Sequence, residues 1–152
     1  MAKSSKPSFC YEYARPALTV DLVLVSRRAP LRVLLIRRKH EPFAGKWALP
    51  GGFVDEGEDL LPAARRELQE ETGITDVEPE QLFTVGTPGR DPRGWTVSVV
   101  YRARVNPATL RPAAADDAAA VGWFPLDELP ELAFDHAVIL DRVRTQITGK
   151  KR

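Results

Sequence analysis

Residues 52–74 read Gly-Phe-Val-Asp-Glu-Gly-Glu-Asp-Leu-Leu-Pro-Ala-Ala-Arg-Arg-Glu-Leu-Gln-Glu-Glu-Thr-Gly-Ile, and this stretch constrains the fold more than any other. Asp59 is a fitting N-cap, and Pro62 falls in the first turn, where a missing N–H costs little. Gly73 stands where a helix ends in a left-handed residue. The spacing therefore predicts a helix over Leu60 to Thr72, with Leu61, Ala64 and Leu68 as its core-facing stripe. On that helix Glu67, Glu70 and Glu71 are three and four residues apart and share a face. Like charges so placed cost roughly 0.2–0.5 kcal/mol per pair. Taken alone, "Arg-Glu-Leu-Gln-Glu-Glu" fits a solvated acidic helix face. The flanking Gly51-Gly52, Glu58 and Gly73 favour a site in which a cation neutralises the cluster. A set of hard oxygen ligands suits Mg²⁺, with Mn²⁺ as a substitute.

The remaining composition sets outer limits. A chain of 152 residues has room for one domain with a sizeable core: a domain over residues 9–148, an N-terminal tail over 1–8 expected to be disordered, and a basic tail over 149–152. Lys plus Arg number 22 against 21 Asp plus Glu, so a net charge of +1 gives no general pull toward nucleic acid or an anionic membrane. Charge is local instead, acidic at the helix and basic at Arg37-Arg38-Lys39. A single cysteine, Cys10, excludes an intrachain disulfide framework. No apolar run has membrane-spanning length, and the N-terminus lacks the apolar stretch of a signal peptide, so a cytoplasmic protein is expected.

Alternating elements are predicted along the chain. Leu18 to Val25 and Leu31 to Ile36 read as strands, the second nearly all apolar and so buried on both faces. Glu41 to Lys46 is a loop, and Trp47 to Phe53 is short extended pieces leading into the helix. Gln81 to Val85 and Thr96 to Val105 are strands joined by a loop over Gly86 to Gly94, and Val121 to Phe124 is the last strand. Asp135 opens a closing helix that runs to Ile147. Ala113 to Ala120 fits a loop or a helix equally. Strands with one helix in the middle and one at the end predict an α/β sandwich.

The spaced pattern over residues 52–74 resembles the signature box of the Nudix hydrolases. Further stretches resemble the family's ADP-ribose pyrophosphatase-like branch and the related sensor domains of NAD-metabolism regulators: Leu18-Thr19-Val20-Asp21, Trp47 to Val54, Arg90-Asp91-Pro92-Arg93-Gly94 and Ala133-Phe134-Asp135-His136. The resemblance implies an α/β/α sandwich with a central mixed sheet and a loop–helix–loop that presents carboxylates to a cleft. It implies a metal site made by Glu67, Glu70, Glu71 and the Gly52 carbonyl, with Arg66 orienting a box carboxylate. Glu58 is a ligand in some members of the family and a structural anchor in others.

The implied reaction is attack of water on a nucleoside diphosphate linked to another group, where divalent ions neutralise phosphoryl charge. Glu67 is the first choice of general base, and Asp117, on the loop before the strand with Trp123, is the second. Arg37, at the end of a predicted strand, and Arg90 and Arg93, in a Pro/Gly-containing loop, are candidates to grip phosphate or ribose, with solvated ends or a local Asp91 ion pair as the competing roles. Trp47 and Tyr101 are expected in the core, and His136 is expected to be structural. The expected partner is a small nucleotide, with no nucleic acid and no membrane; a homodimer is left open.

Three functions fit. The first is an Mg²⁺-dependent hydrolase cutting ADP-ribose to AMP and ribose 5-phosphate. The second is the same chemistry on an oxidised nucleotide, another nucleoside triphosphate or a dinucleoside polyphosphate. The third is a non-catalytic ADP-ribose sensor. The intact box argues against a pure sensor, as does the few residues' length after the closing helix, which leaves no room for the winged helix such regulators carry.

Overall fold

A strand buried along nearly its whole length organises the molecule. In the computed structural model, which describes residues 8–149, β1 runs Ala17–Ser26 and is buried from Thr19 onward. The tail expected over residues 1–8 lies outside the described residues except for Ser8, and the basic tail lies outside them except for Gly149. β1 is followed by β2 (Arg32–Arg38), β3 (Trp47–Ala48), β4 (Gly51–Phe53) and helix α1 (Leu60–Thr72). Then come β5 (Glu80–Val85), β6 (Thr96–Val105), a 3₁₀ turn (Pro107–Thr109), β7 (Ala118–Pro125) and helix α2 (His136–Thr148).

The sheet is mixed. β1 pairs in parallel with β6 from Ala17↔Thr96 to Ser26↔Val105, while the other pairings are antiparallel. Alternation along β1 sends side chains to two cores. Val20, Leu22 and Leu24 pack with Ala63, Ala64 and Leu68 of α1. Val23 and Val25 pack with Ile139, Leu140 and Val143 of α2. A sheet covered by one helix on each face is the expected α/β/α sandwich.

The edge of β1 away from β6 positions the site. Near its end β1 meets β2 at Val25↔Val33, but near its start it meets β4 instead, with Thr19↔Phe53, Val20↔Gly52 and Asp21↔Gly51. The two strands part, and Gly51-Gly52 fills the opening directly over α1. That helix is capped as its sequence requires: Leu60 N–H donates to Asp59 Oδ1 at 2.7 Å, and Gly73, at φ +74°, donates its N–H to Gln69 O at 2.8 Å.

One open local alternative is decided and one expectation changes. Ala113 to Ala120 is not helical; its end joins β7, because β7 runs on to pair Ala118 with Arg38. Asp135 stands at the N-cap of α2 but makes no capping bond, since its carboxylate is taken by Arg90. Among the described residues no helix is long and apolar enough to cross a membrane.

Candidate active site

Two glycines let the backbone come within contact distance of the box carboxylates. A Cβ on Gly52 would lie 2.6 Å from the Glu67 carboxyl carbon, and one on Gly51 would lie 2.1 Å from Val20 O. No other residue fits either place without displacing backbone or a box acid. Gly51 N–H donates to Glu71 Oε2 at 3.0 Å. Glu71 is 8% exposed, and burial pushes its carboxyl up to about 8, with the charges of Glu67 and Asp21 adding to the rise and the Gly51 N–H opposing it. Burial also raises Glu67, helped by Glu70 and Asp55 and opposed by Arg66.

Arg66 ties this cluster together. Its Nε and Nη2 donate to the two Glu58 oxygens at 2.7 and 2.9 Å, and Nη1 donates to Glu67 at 2.9 Å and to Glu70 at 3.2 Å. Nη2 also reaches the Phe53 carbonyl at 3.0 Å, pinning the helix to β4. The bidentate bond to Arg66 holds Glu58 down at about 2, and the same bond raises Arg66. Glu58 is thus spent on anchoring Arg66. Glu70 is exposed, with its carboxylate turned to Arg66.

Glu67 and Glu71 form one wall of a cleft of about 240 Å³ that also touches Gly52, Arg38, Arg93 and Asp117. It adjoins an inner recess of about 50 Å³ lined by Asp21, Arg90, Phe134 and His136 among others. Carboxylates and guanidinium groups thus line the same cleft. Asp117 lies at the rim, 80% exposed, with Oδ1 3.5 Å from His40 Nε2.

The arginines divide by role. Arg37 is exposed and does not line the cleft; the next residue, Arg38, lines both cleft and recess. Alternation along β2 explains this, because Ile36 and Arg38 share a face and Arg37 points away. Burial, together with Arg93, pushes the Arg38 guanidinium down. Arg93 is gripped by Asp91 through Nε at 3.0 Å and Nη2 at 2.8 Å, and its guanidinium lies 4.7 Å from the Phe53 ring centre and 4.9 Å from that of Phe134. Arg93 is therefore pre-oriented at the mouth while still 37% exposed.

Arg90 borders the recess but gives its guanidinium to Asp135, with Nε and Nη2 donating at 2.9 and 2.7 Å and only 5% of its side chain exposed. It fastens the loop over residues 86–95 to the start of α2. Removing one partner of such a pair costs about 3 kcal/mol or more. Arg90→Ala is expected to lower the melting temperature by roughly 10 °C, checked by calorimetry, and a change of under a degree or two would refute the fastening role.

Beneath the recess lies a buried polar chain. Leu49 N–H donates to His136 Nδ1 at 3.0 Å, so the imidazole proton is on Nε2, 3.4 Å from Asp21 Oδ1. Ser98 donates to the other Asp21 oxygen. Burial pushes Asp21 up, but His136, Ser98 and Arg90 together outweigh it and hold the carboxyl below its usual range. Sequence reading singled out neither Asp21 nor Arg38 for the site; an acid at the centre of an apolar strand was the available signal for the first.

Among the described residues no three acidic, histidine or cysteine side chains stand together as a finished metal cage. The donor set nonetheless suits a hard divalent cation. Glu67 and Glu71 offer only oxygen, both are raised toward neutrality by burial and by neighbouring acids, and a cation is what would let both ionise.

Known proteins resemble this chain in sequence and in fold. The family model described as the NUDIX domain matches residues 15–143. An "ADP-ribose pyrophosphatase" of Methanocaldococcus jannaschii is 42% identical over 84% of this chain and 73% of its own length. The "ADPR responsive transcriptional repressor NtrR" of Acinetobacter baylyi is 36% identical over 93% of this chain, which spans only 58% of the repressor. Among solved structures, the NUDIX domain of Shewanella oneidensis NrtR complexed with ADP ribose superimposes with a TM-score of 0.80 at 37% identity, covering 90% of this chain and 91% of that one. With a matched model over most of its length and these relatives, the chain belongs to the Nudix family, on the side of its ADP-ribose pyrophosphatases and ADP-ribose-responsive regulators.

Proposed function

We propose that this Nudix pyrophosphohydrolase cuts ADP-ribose to AMP and ribose 5-phosphate with the help of a divalent cation. The observation that carries the reading is the cleft itself, lined by the Glu67–Glu71 carboxyl pair together with Arg38 and Arg93. A divalent ion held by Glu67, Glu70, Glu71 and the Gly52 carbonyl supplies, when bound, neutralisation of the phosphoryl oxygens and easier deprotonation of water. Arg38 and Arg93 hold the diphosphate by charge-assisted hydrogen bonds. Glu67 takes the proton of the attacking water, because it lines the cleft beside the bound diphosphate and the Arg66 bond fixes the direction of its carboxylate. Asp117, in open solvent beside His40, is the weaker base. Arg66 sets the direction of the Glu67 carboxylate, and Asp91 and the Phe53 and Phe134 rings set the direction of Arg93.

Substrate choice tests the proposal. ADP-ribose is expected to show a higher kcat/KM than a panel of nucleoside triphosphates that includes oxidised ones. Arg93→Ala is expected to raise KM for ADP-ribose roughly tenfold or more, with a smaller change in kcat, since the guanidinium holds ground state and transition state alike. A preference for triphosphates would overturn the substrate assignment.

The likeness to the repressor, over 93% of this chain, supports a second reading as a domain that senses ADP-ribose without cutting it. The complete set of Glu67, Glu70 and Glu71 favours hydrolysis. Saturable ADP-ribose binding with no AMP formed in Mg²⁺ or Mn²⁺ would decide for sensing.

A further inference from the structure

A second cleft, of about 400 Å³, opens at the turn between β1 and β2 and is lined by Ser26 to Pro30, Arg32 and residues 105–107. It shares no lining residue with the carboxylate cleft. Gly51 and Gly52 pair with the start of β1, whereas this cleft begins at its last residue, so roughly 17 Å of strand separates them.

Three arginines border the cleft, and no acidic residue does. Arg27 is fixed through Nε, which donates to Arg104 O at 3.0 Å, and through its carbonyl, which accepts from Arg104 Nη2 at 3.1 Å. Neither bond uses the terminal nitrogens of its fork. Arg28 and Arg32 are exposed, and their backbone groups, not their guanidiniums, make the hydrogen bonds of the turn. The turn that carries them is firmly tied. Ser26 Oγ donates to the Arg28 carbonyl at 3.2 Å and accepts from Arg32 N–H at 2.9 Å, while Arg27 N–H donates to Val105 O at 2.9 Å. The Asn106 side-chain oxygen caps the 3₁₀ turn by accepting from Ala108 N–H at 3.1 Å, which leaves its NH₂ group as a further donor. Ala29, Pro30, Val105 and Pro107 supply apolar surface between these donors.

An ordinary surface arginine is matched by a nearby acid or stands alone. Three arginines lining one preformed concavity, with no acid on its lining, apolar walls and a volume in the roughly 300–1,000 Å³ range of small-molecule sites, fit an anion that also carries an apolar part. We propose that this cleft binds a phosphorylated small molecule of nucleoside monophosphate size, its phosphate held by Arg27, Arg28 and Arg32 and its ring resting on Pro30 and Pro107. The site is independent of the hydrolytic cleft and of the reading given to it.

The test is a backbone amide NMR titration of the full chain with AMP, with inorganic phosphate and with sodium sulfate at matched ionic strength. Chelator is present throughout, and Glu67→Gln serves as the background so that nothing turns over. The expected result is saturable AMP shifts over residues 26–32 and 105–107, tighter for AMP than for inorganic phosphate, and weakened roughly tenfold or more in the double variant Arg28→Ala/Arg32→Ala. That double variant, made in the otherwise unaltered enzyme, is expected to keep the original turnover and melting temperature. Shifts confined to the carboxylate cleft would overturn the proposal. So would linear, non-saturating shifts that sulfate reproduces, which mean screening alone. A double variant that folds but binds AMP as before would overturn the assignment of the arginines.

Discussion

Glu67→Gln is expected to lower kcat by roughly 10²–10⁴-fold, the scale of losing a general base. The amide keeps the shape of the carboxyl, so the close approach to Gly52 and the bond to Arg66 Nη1 survive. What disappears is the negative charge and the ability to accept a proton. Stability is expected to hold or to rise slightly without metal, because Glu67 is a half-buried acid whose ionisation the fold resists. Glu71→Gln tests the same wall from its more buried end and is expected to lower activity too. Gly52→Ala is the complementary variant: its methyl group would push Glu67 out of place, so activity should fall although no charge is removed. Initial rates with saturating substrate and Mg²⁺, alongside circular dichroism, make the measurement. Rates near those of the unaltered enzyme in Glu67→Gln and Glu71→Gln would remove these residues from the reaction.

Chelation is expected to abolish activity, and excess Mg²⁺ or Mn²⁺ to restore it, with Zn²⁺ a poorer substitute because the donors are oxygens with no histidine or cysteine. The buried acid adds a pH signature. Glu71 titrates near 8 in the fold against an ordinary 4.5, so the folded chain holds a proton there that the unfolded chain has released. Its contribution to stability is therefore complete below pH 4.5 and is lost as pH rises toward about 8. Asp21 has the opposite sign: its carboxyl is lowered from 3.8, so its contribution is present above that value and is lost on further acidification, in a separate window. Mg²⁺ binding must displace the Glu71 proton, so apparent affinity should rise up to roughly tenfold per pH unit below the folded value. Thermal shifts produced by Mg²⁺, read against chelator at several pH values from 6 to 8, should grow with pH. Activity in chelator, or a pH-independent Mg²⁺ shift, would sink the account of the site.

Legibility in the sequence followed the range over which each signal acts. The box helix was readable to its last residue, because Asp59, Pro62 and Gly73 act within one turn of the ends they define. The strands were readable from their apolar runs, and so was the mixed architecture. Arg38 was not, because the predicted strand stopped at Ile36 whereas β2 continues to Arg38, held by its pairing with β3 and β7. Only with that extension does alternation turn Arg37 outward and Arg38 inward. Asp135 looked like a helix cap from its neighbours alone, and an arginine 45 positions away claims it. Arg90 was legible as a basic loop residue, but no local rule says whether a guanidinium faces a ligand or a structural carboxylate. The Asp21–His136–Leu49 chain joins three distant segments, and its parts carry no shared local pattern.

The parallel ladder between β1 and β6 also decides how the chain must acquire its shape. Neighbours across it such as Thr19 and Val97 are 78 positions apart, so closing the ladder means closing a very long loop, and topology of that kind slows folding. During synthesis β1 is made long before its partner. Until residues 96–105 emerge, a largely apolar strand waits with one edge open, and such an edge invites pairing with other chains. A chain cut short before Thr96 would keep the whole carboxylate box yet lack the strand that closes its sheet, and aggregation is the fate that its physics favours.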